Sequence, residues 1–242
     1  DNEPSVKLRV QTEKGKGWDI VDDKESIGVY AASLIKDGQI VGLGTGSTTA
    51  FTIKELGRRI QNEGIKVYGI PTSFQAKLLS IESKIPITSL DEHDIDIAID
   101  GADEVNPKLH LLKGRGGALL QEKIIDYNAK RFVVVCEERK LVETLGKSFP
   151  VTIEVFPMAY KKVYTSILHL GRPVLRIDDR KDGPVITDNG NFIIDLYTSV
   201  TDPKLMENEL NDIPGIFENG IFTCKCEAVF MKKGKVEVIK SK

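Results

Sequence analysis

The sequence predicts an α/β fold: a Rossmann-like, mostly parallel sheet with helices on both faces, plus a smaller α+β, ferredoxin-like domain. Three observations predict it. Short apolar runs such as Ile40–Leu43 and Phe132–Cys136 alternate with segments whose apolar residues recur at helical spacing, the pattern of buried strands joined by crossover helices. Beyond Phe149-Pro150 the order becomes strand, helix, strand, hairpin, helix, which suits a small α+β unit. Carboxylates also gather where a buried strand should end, at Asp100, Asp103 and Glu104, and open α/β sheets bind ligands outside the carboxyl ends of their strands. The expected organisation is an N-terminal extension over 1–21, an α/β catalytic domain made of 22–148 and 221–242, and the small domain over 149–220.

Asp22 or Asp23 can cap a first helix that carries Ile27, Ala31 and Leu34-Ile35 inward. Asp37-Gly38 turns the chain into the strand Ile40–Leu43, and Gly44–Ser47 is a tight loop. Thr48 to Asn62 repeats apolar residues at Ile53, Leu56 and Ile60, so it is a helix. Lys66–Ile70 reads as a strand, Pro71–Ser83 as loop and helix, Ile87–Leu90 as a short extended piece and Asp94–Ile99 as a strand. Ala118–Lys130 is a helix with Leu120, Ile124 and Tyr127 as its expected core face, and Phe132–Cys136 is a very apolar strand. In the second region, Val151–Phe156 is a strand and Met158–Leu170 a helix. Val174–Ile177 and Val185–Ile186 are strands, and Asp188-Asn-Gly-Asn191 is a hairpin turn into Phe192–Leu196. Pro203–Asn211 is a helix, and the tail Gly220–Val238 is strand again, placed to rejoin the first sheet.

Composition removes several function classes. The chain has 242 residues, with 34 Lys plus Arg against 36 Asp plus Glu, a net charge of -2. That balance argues against nucleic-acid binding driven by bulk charge, and no apolar stretch is long enough to span a membrane. Cys136, Cys224 and Cys226 are too few for a disulfide framework, and Cys224-Lys-Cys226 lacks metal-ligand spacing. They read as small strand residues, no metal site is expected, and the expected compartment is the cytoplasm.

Two loops carry the chemistry. Gly42-Leu-Gly-Thr-Gly-Ser-Thr48 runs from a strand into a helix. Its glycines let an anion approach the backbone, and the helix N-terminus offers free N–H groups. It lacks the Lys of a P-loop and the third Gly or Ala of the dinucleotide fingerprint, which leaves a phosphate cradle or a plain tight turn. The second segment is Asp100-Gly-Ala-Asp103-Glu104, followed by Lys113-Gly-Arg-Gly-Gly117 and Glu122. Close carboxylates repel, so one pKa rises and suits acid–base work near neutrality. An ammonium with exposed loop amides can hold a developing oxyanion. A Glu at position 122 on its own reads as a solvated helix residue; its closeness to the Lys113 loop raises its interest. His93, His110 and His169 fall in no catalytic pattern, and no Gly-x-Ser-x-Gly is present.

Taken together, Gly42–Thr48, Ile70-Pro-Thr-Ser73, Asp100–Glu104, Lys113–Gly117, Gln121-Glu-Lys123, Pro157-Met-Ala159 and Thr187–Asn191 resemble ribose-5-phosphate isomerase, type A. The likeness runs from about Asp22 to about Met231. It implies the interconversion of D-ribose 5-phosphate and D-ribulose 5-phosphate, in the non-oxidative pentose phosphate pathway, with no metal or organic cofactor. It implies Glu122 as general base, with Asp100, Asp103 and Lys113 binding and polarising the sugar. Asp100 would assist ring opening and Asp103 would orient a hydroxyl. Substrate binding would involve Lys24, Thr45, Gly46, Ser47, Thr48, Gly101, Ala102, Gly114, Arg115, Gly116 and Lys140. The expected assembly is a homodimer or homotetramer, with a sugar phosphate as the only partner besides itself. Arg115 departs from the Gly common at its position, where it either crowds the loop or points outward. Two other classes compete. A sugar-phosphate-sensing domain of a regulator would need a DNA-binding module, for which residues 1–21 are too short. A sugar-phosphate deaminase or lactonase would be expected to use a His that these motifs lack.

Overall fold

The computed structural model describes residues 23–180 and 182–241; the expected extension over 1–21 and the capping position Asp22 lie outside them. The first elements are α1 (Asp23–Ser33), β1 (Ile40–Leu43), α2 (Ser47–Glu63), β2 (Tyr68–Pro71), α3 (Phe74–Glu82) and β3 (Ile97–Gly101). Next come β4 (Glu104–Val105), β5 (Leu111–Leu112), α4 (Leu119–Asn128) and β6 (Phe132–Val135). The second region holds β7 (Val151–Val155), α5 (Tyr160–Ser166), β8 (Arg172–Leu175), β9 (Phe192–Tyr197), α6 (Pro203–Asn211) and β10 (Ile216–Asn219). β11 (Ile221–Phe222), β12 (Glu227–Lys232) and β13 (Lys235–Lys240) close the chain.

The main sheet has the order β13-β12-β6-β3-β1-β2. All of its pairings are parallel except β12 with β13, so the tail does rejoin the first sheet. Its central strands β1, β3 and β6 are nearly all buried and mostly apolar because both faces are covered, whereas the edge strand β13 alternates apolar and charged residues. On one face, Ile27, Ala31 and Ile35 with Ile53 and Leu56 pack against Val41, Leu43, Ile97, Ile99, Val133 and Val135. On the other, Ile125 of α4 joins Ala98, Phe132, Val134, Ala228 and Phe230. Burying a side chain of this size contributes about 1.5–3 kcal/mol, so two such layers account for the sheet's persistence. The strand order reverses between β1, which leads to β2 on one side, and β3, which lies on the other. The crevice outside the carboxyl ends of β1 and β3 is therefore the switch point where such sheets bind ligands.

The second sheet runs β10-β7-β9-β8, with every pairing antiparallel. Its β-α-β-β-α-β order is the ferredoxin-like arrangement. Its core joins Val151, Ile153, Val155, Ile194 and Leu196 to Val163 and Leu210 of the two helices. A third sheet, β11-β5-β4, was not expected. Its strands are two residues long, too short to show alternation, yet Leu111 and Phe222 close the second face of the main sheet.

Several boundaries differ from the sequence reading. Ile87–Leu90 forms only a single bridge, between Gly69 and Ile87. β3 starts at Ile97; Asp96 just before it donates its N–H to Ile40 O at 2.9 Å and accepts the Ile40 N–H on its carboxylate at 2.9 Å. The helix expected over Met158–Leu170 opens with a 3₁₀ turn at Pro157–Ala159 and ends at Ser166, since the chain must turn before β8. Val185–Ile186 is not a strand; bridges from Pro184 and Ile186 flank it. Cys224 and Cys226 fall in the connection between β11 and β12, not in a strand, and all three cysteines are free.

Candidate active site

Two chain segments meet at the switch point because one of them has no side chain to spare. Gly44 follows β1 and donates its N–H to Ile99 O at 2.9 Å. A Cβ there would lie 2.5 Å from Asp100 Cα and closer still to its carboxylate, so only glycine allows this approach. The loop then turns through Gly46 at φ 128°, where an L side chain is strained, and enters α2. Ala50 N–H is the donor to Gly46 O at 3.0 Å. The amides of the first turn ahead of it have no carbonyl behind them, and they face the cavity with the positive end of the helix dipole.

The cavity measures about 640 Å³. Lys24, Gly46, Ser47 and Thr48 line one end, with Gly101, Ala102, Asp103, Lys113, Gly114, Arg115, Gly116, Glu122 and Lys140 along the rest. Thr45 reaches it too, but its hydroxyl is engaged with Thr72 Oγ1 at 2.9 Å and Ser73 Oγ at 2.6 Å. Its task is to tie the loop to the start of α3.

Lys113 is the centre of the site. It is 2% exposed and its Nζ donates to Gly101 O at 2.5 Å. Around the same nitrogen lie Asp100 Oδ2 at 2.9 Å, Glu122 Oε2 at 3.5 Å and Asp126 Oδ2 at 3.8 Å. Burial works against the ammonium, but these three carboxylates more than offset it and raise its pKa. It stays charged throughout the working range. Glu122 behaves in the opposite sense. Burial and the neighbouring Asp100, opposed by Lys113, push its carboxyl up to about 8. Asp100 is fully buried below Lys113, where burial raises its pKa against Lys113 and two backbone donors, Thr45 N–H at 3.1 Å and Gly101 N–H at 2.6 Å.

Asp103 sits higher on the wall. Its Oδ2 accepts from Arg115 N–H at 2.9 Å and its Oδ1 lies 3.9 Å from Lys140 Nζ. Desolvation lowers the Lys140 pKa against the pull of Asp103. The Arg115 guanidinium sits over the Phe149 ring at 5.7 Å, beside Lys140 at 4.3 Å. Its side chain thus leans along the cavity's edge and leaves the loop uncrowded. Glu104, the third carboxylate of the segment, is turned away: it accepts from the N–H groups of Gly146, Ser148 and Phe149. That bonding anchors the 146–149 turn that carries Phe149.

The helical-wheel reading of α4 is corrected by the structure. Ile124 and Tyr127, expected to face the core, are 44% and 42% exposed, whereas Glu122, Lys123 and Asp126 are buried. The helix lies between the main sheet and the second one, and its buried residues mix apolar Leu119 and Ile125 with polar Glu122, Lys123 and Asp126. Lys123 donates to Glu207 and Glu218, each at 2.9 Å, and to Ile221 O at 2.7 Å. Asp126 and Asp188 were missed. Asp188 lies on the cavity wall and accepts the Phe74 N–H at the start of α3 at 2.7 Å. The four-residue spacing of Glu122 and Asp126 on one helix face was the available signal for Asp126; Asp188 was read only as part of a hairpin turn within the Thr187–Asn191 motif. Among the described residues no group of three or more His, Cys, Asp or Glu is placed to hold a metal, and no helix is long and apolar enough to cross a membrane.

A family model described as ribose 5-phosphate isomerase A (phosphoriboisomerase A) matches residues 68–235. The chain belongs to this family. It is therefore an isomerase. Ribose-5-phosphate isomerase A from Methanocaldococcus jannaschii is 52% identical over 217 residues, 88% of this chain and 96% of that protein. The protein of the same name from Pyrococcus horikoshii is 55% identical over 196 residues, 79% and 86% of the two chains. The solved Methanocaldococcus jannaschii enzyme superposes with a TM-score of 0.88, covering 90% of this chain and 97% of that one at 50% identity. A second solved D-ribose-5-phosphate isomerase, in complex with phospho-erythronic acid, also gives 0.88, at 49% identity over 90% of this chain and 97% of that one.

Proposed function

We propose that the protein interconverts D-ribose 5-phosphate and D-ribulose 5-phosphate by proton transfer through an enediolate, with Glu122 as general base. The observation that carries this reading is Glu122 Oε2 at 3.5 Å from Lys113 Nζ, both on the wall of one cavity at the switch point. A carboxyl held near 8 exchanges protons readily at neutral pH, and a buried ammonium is a fixed positive charge for an oxyanion. The relative bound to phospho-erythronic acid, a sugar-acid phosphate, supports the same substrate class.

In this reading the phosphate docks on the first-turn amides of α2 with Ser47, Thr48 and Lys24. That distant anchor holds C1 and C2 of the open-chain aldose over Glu122. Glu122 removes the C2 proton, and the electron pair moves onto the carbonyl oxygen, where Lys113 stabilises it. O1 gains a proton, O2 gives one up, and Glu122 returns its proton to C1, which leaves the ketose. Asp103, with Lys140 beside it, is the carboxylate placed to meet the sugar's hydroxyls. Asp100 is too deeply buried to reach the ring oxygen. It acts by holding Lys113, and ring opening passes to Asp103.

The test follows ketose formation from ribose 5-phosphate in the parent and in Glu122→Gln, with sugar-phosphate binding measured in parallel. The expected loss in the variant is roughly 10²–10⁴-fold in kcat, with binding retained. A variant within a few-fold of the parent would remove Glu122 as base. A parent that binds without turnover would favour a sensor.

A further inference from the structure

One ionisable group buried beside Lys113 has no part in the chemistry just described. Asp126 lies one helical turn beyond Glu122 on α4 and is 2% exposed. Its Oδ2 is 3.8 Å from Lys113 Nζ, but the ammonium's nearer neighbours are Gly101 O, Asp100 and Glu122. Neither Asp126 oxygen has a hydrogen-bond donor, and Asp100 Oδ2 has only the Lys113 ion pair. Asp126 Oδ2 and Asp100 Oδ2 nonetheless converge on the same Lys113 Nζ, at 3.8 and 2.9 Å, which brings the two carboxyls together. Two acceptors that face each other with no donor between them repel, unless one carries a proton.

Charge points the same way. Three ionised carboxylates around one ammonium would leave a net charge of minus two among buried groups, and an uncompensated buried charge is costly. Which of the three holds the proton follows from their donors. Asp100 Oδ1 accepts two backbone N–H bonds, which favour its charged form. Glu122 faces the cavity and must ionise to act as a base. Asp126 has only the Lys113 ammonium, at 3.8 Å, to favour its charge, and no N–H or O–H donates to it; Cys224 and Cys226, on the β11–β12 connection, are thiols pushed up to about 12, chiefly by burial and partly by Asp126 itself.

We infer that Asp126 is a neutral carboxylic acid that donates its proton to Asp100 and so acts as a positioning residue for Lys113. Asp100, bonded from both sides, then holds the ammonium at a fixed distance from Glu122. The neutral acid also spares Glu122 a further negative neighbour beside Asp100 and Asp103, which keeps its ionisation within reach of neutral pH. The positioning role rests on the isomerase reading; the proton on Asp126 does not.

The decisive measurement is infrared spectroscopy of the intact protein with carboxyl-labelled aspartate, without substrate, at neutral pH. A protonated aspartic acid band is expected in the parent and absent in Asp126→Asn. A band that persists in the variant, or no band in the parent, would overturn the assignment. Kinetics test the positioning role. Asp126→Ala, which removes the donor, is expected to lower kcat roughly tenfold or more with little change in KM. Asp126→Asn, which keeps a neutral donor, is expected to recover most of that loss and to share the parent's acid limb in kcat/KM. An acid limb in Asp126→Asn that moves down by about one pH unit, as expected on removing a negative neighbour, would mean that Asp126 is ionised and the inference wrong. The band in a parent that shows no turnover would support the proton on Asp126 and overturn the isomerase reading alone.

Discussion

Replacing Gly44 by alanine tests whether the close approach of the two loops sets the catalytic geometry. The new Cβ would lie 2.5 Å from Asp100 Cα, against ordinary carbon contacts of about 3.5–4.0 Å. Because the obstacle is backbone, no rotamer change relieves it; the ends of β1 and β3 must part by about 1 Å. That movement breaks the Gly44 N–H bond to Ile99 O and the Thr45 N–H bond to Asp100. The two bonds are worth about 1 kcal/mol each, and overpacking adds roughly 1–3 kcal/mol. The expected destabilisation is therefore about 3–5 kcal/mol, read as a lowered denaturant midpoint. Asp100 also carries Lys113, so the displacement reaches the oxyanion site, where a 1 Å error costs about 10²-fold. The assay is ketose formation from ribose 5-phosphate, with unfolding followed by circular dichroism. Gly116→Ala, whose Cβ would meet nothing nearer than 3.8 Å, is the comparison and should leave the midpoint unchanged. Gly44→Ala within threefold of the parent in kcat/KM, at an unchanged midpoint, would refute the reasoning.

Other consequences follow from the buried charges. Since Glu122 must be ionised to act and its carboxyl is pushed up to about 8, kcat/KM should fall as pH drops below about 8; a limb near 4.5 would contradict this. Stability runs the other way. A carboxyl whose pKa is higher folded than unfolded binds more protons in the native state. Its contribution is complete below the unfolded value of 4.5 and is lost as pH rises toward 8, by at most about 1.4 kcal/mol per pH unit. Asp100 and Asp126 act with the same sign. Denaturant unfolding across this window checks it, and stability that rises with pH would refute it. Lys123→Met leaves Glu207 and Glu218 facing each other without their ammonium. It should cost about 3–5 kcal/mol, as other broken buried pairs do, and a loss below 1 kcal/mol by urea unfolding would show the network to be dispensable.

Elements with one local cause were legible. β1, β3 and β6 are buried on both faces, so their runs of apolar residues announced a parallel sheet. α2 declared itself through Ile53 and Leu56; in α6 the structure adds that the Asp202 side chain caps it by accepting Leu205 N–H at 3.1 Å. The candidate site was legible to the extent that its residues sit at strand ends in short motifs. Asp103, Lys113, Glu122 and residues 45–48 do line one cavity.

What failed had causes far along the chain. The inner face of α4 was misread because an apolar face normally turns inward; here Lys123 finds its partners at 207 and 218, which makes a polar face cheap to bury. β11 is a strand only because a distant segment pairs with it, Phe222 with Leu111, and the β4–β5 hairpin that receives it is too short to show a pattern. The sequence by itself determined the fold class, the loop chemistry and the residue types available for catalysis, because periodicity and turn residues act over a few positions. Tertiary structure alone decided that Asp100 and Asp126 both lie against Lys113. Burial and the spacing of charges belong to the assembled chain, and they set which carboxylates keep a proton.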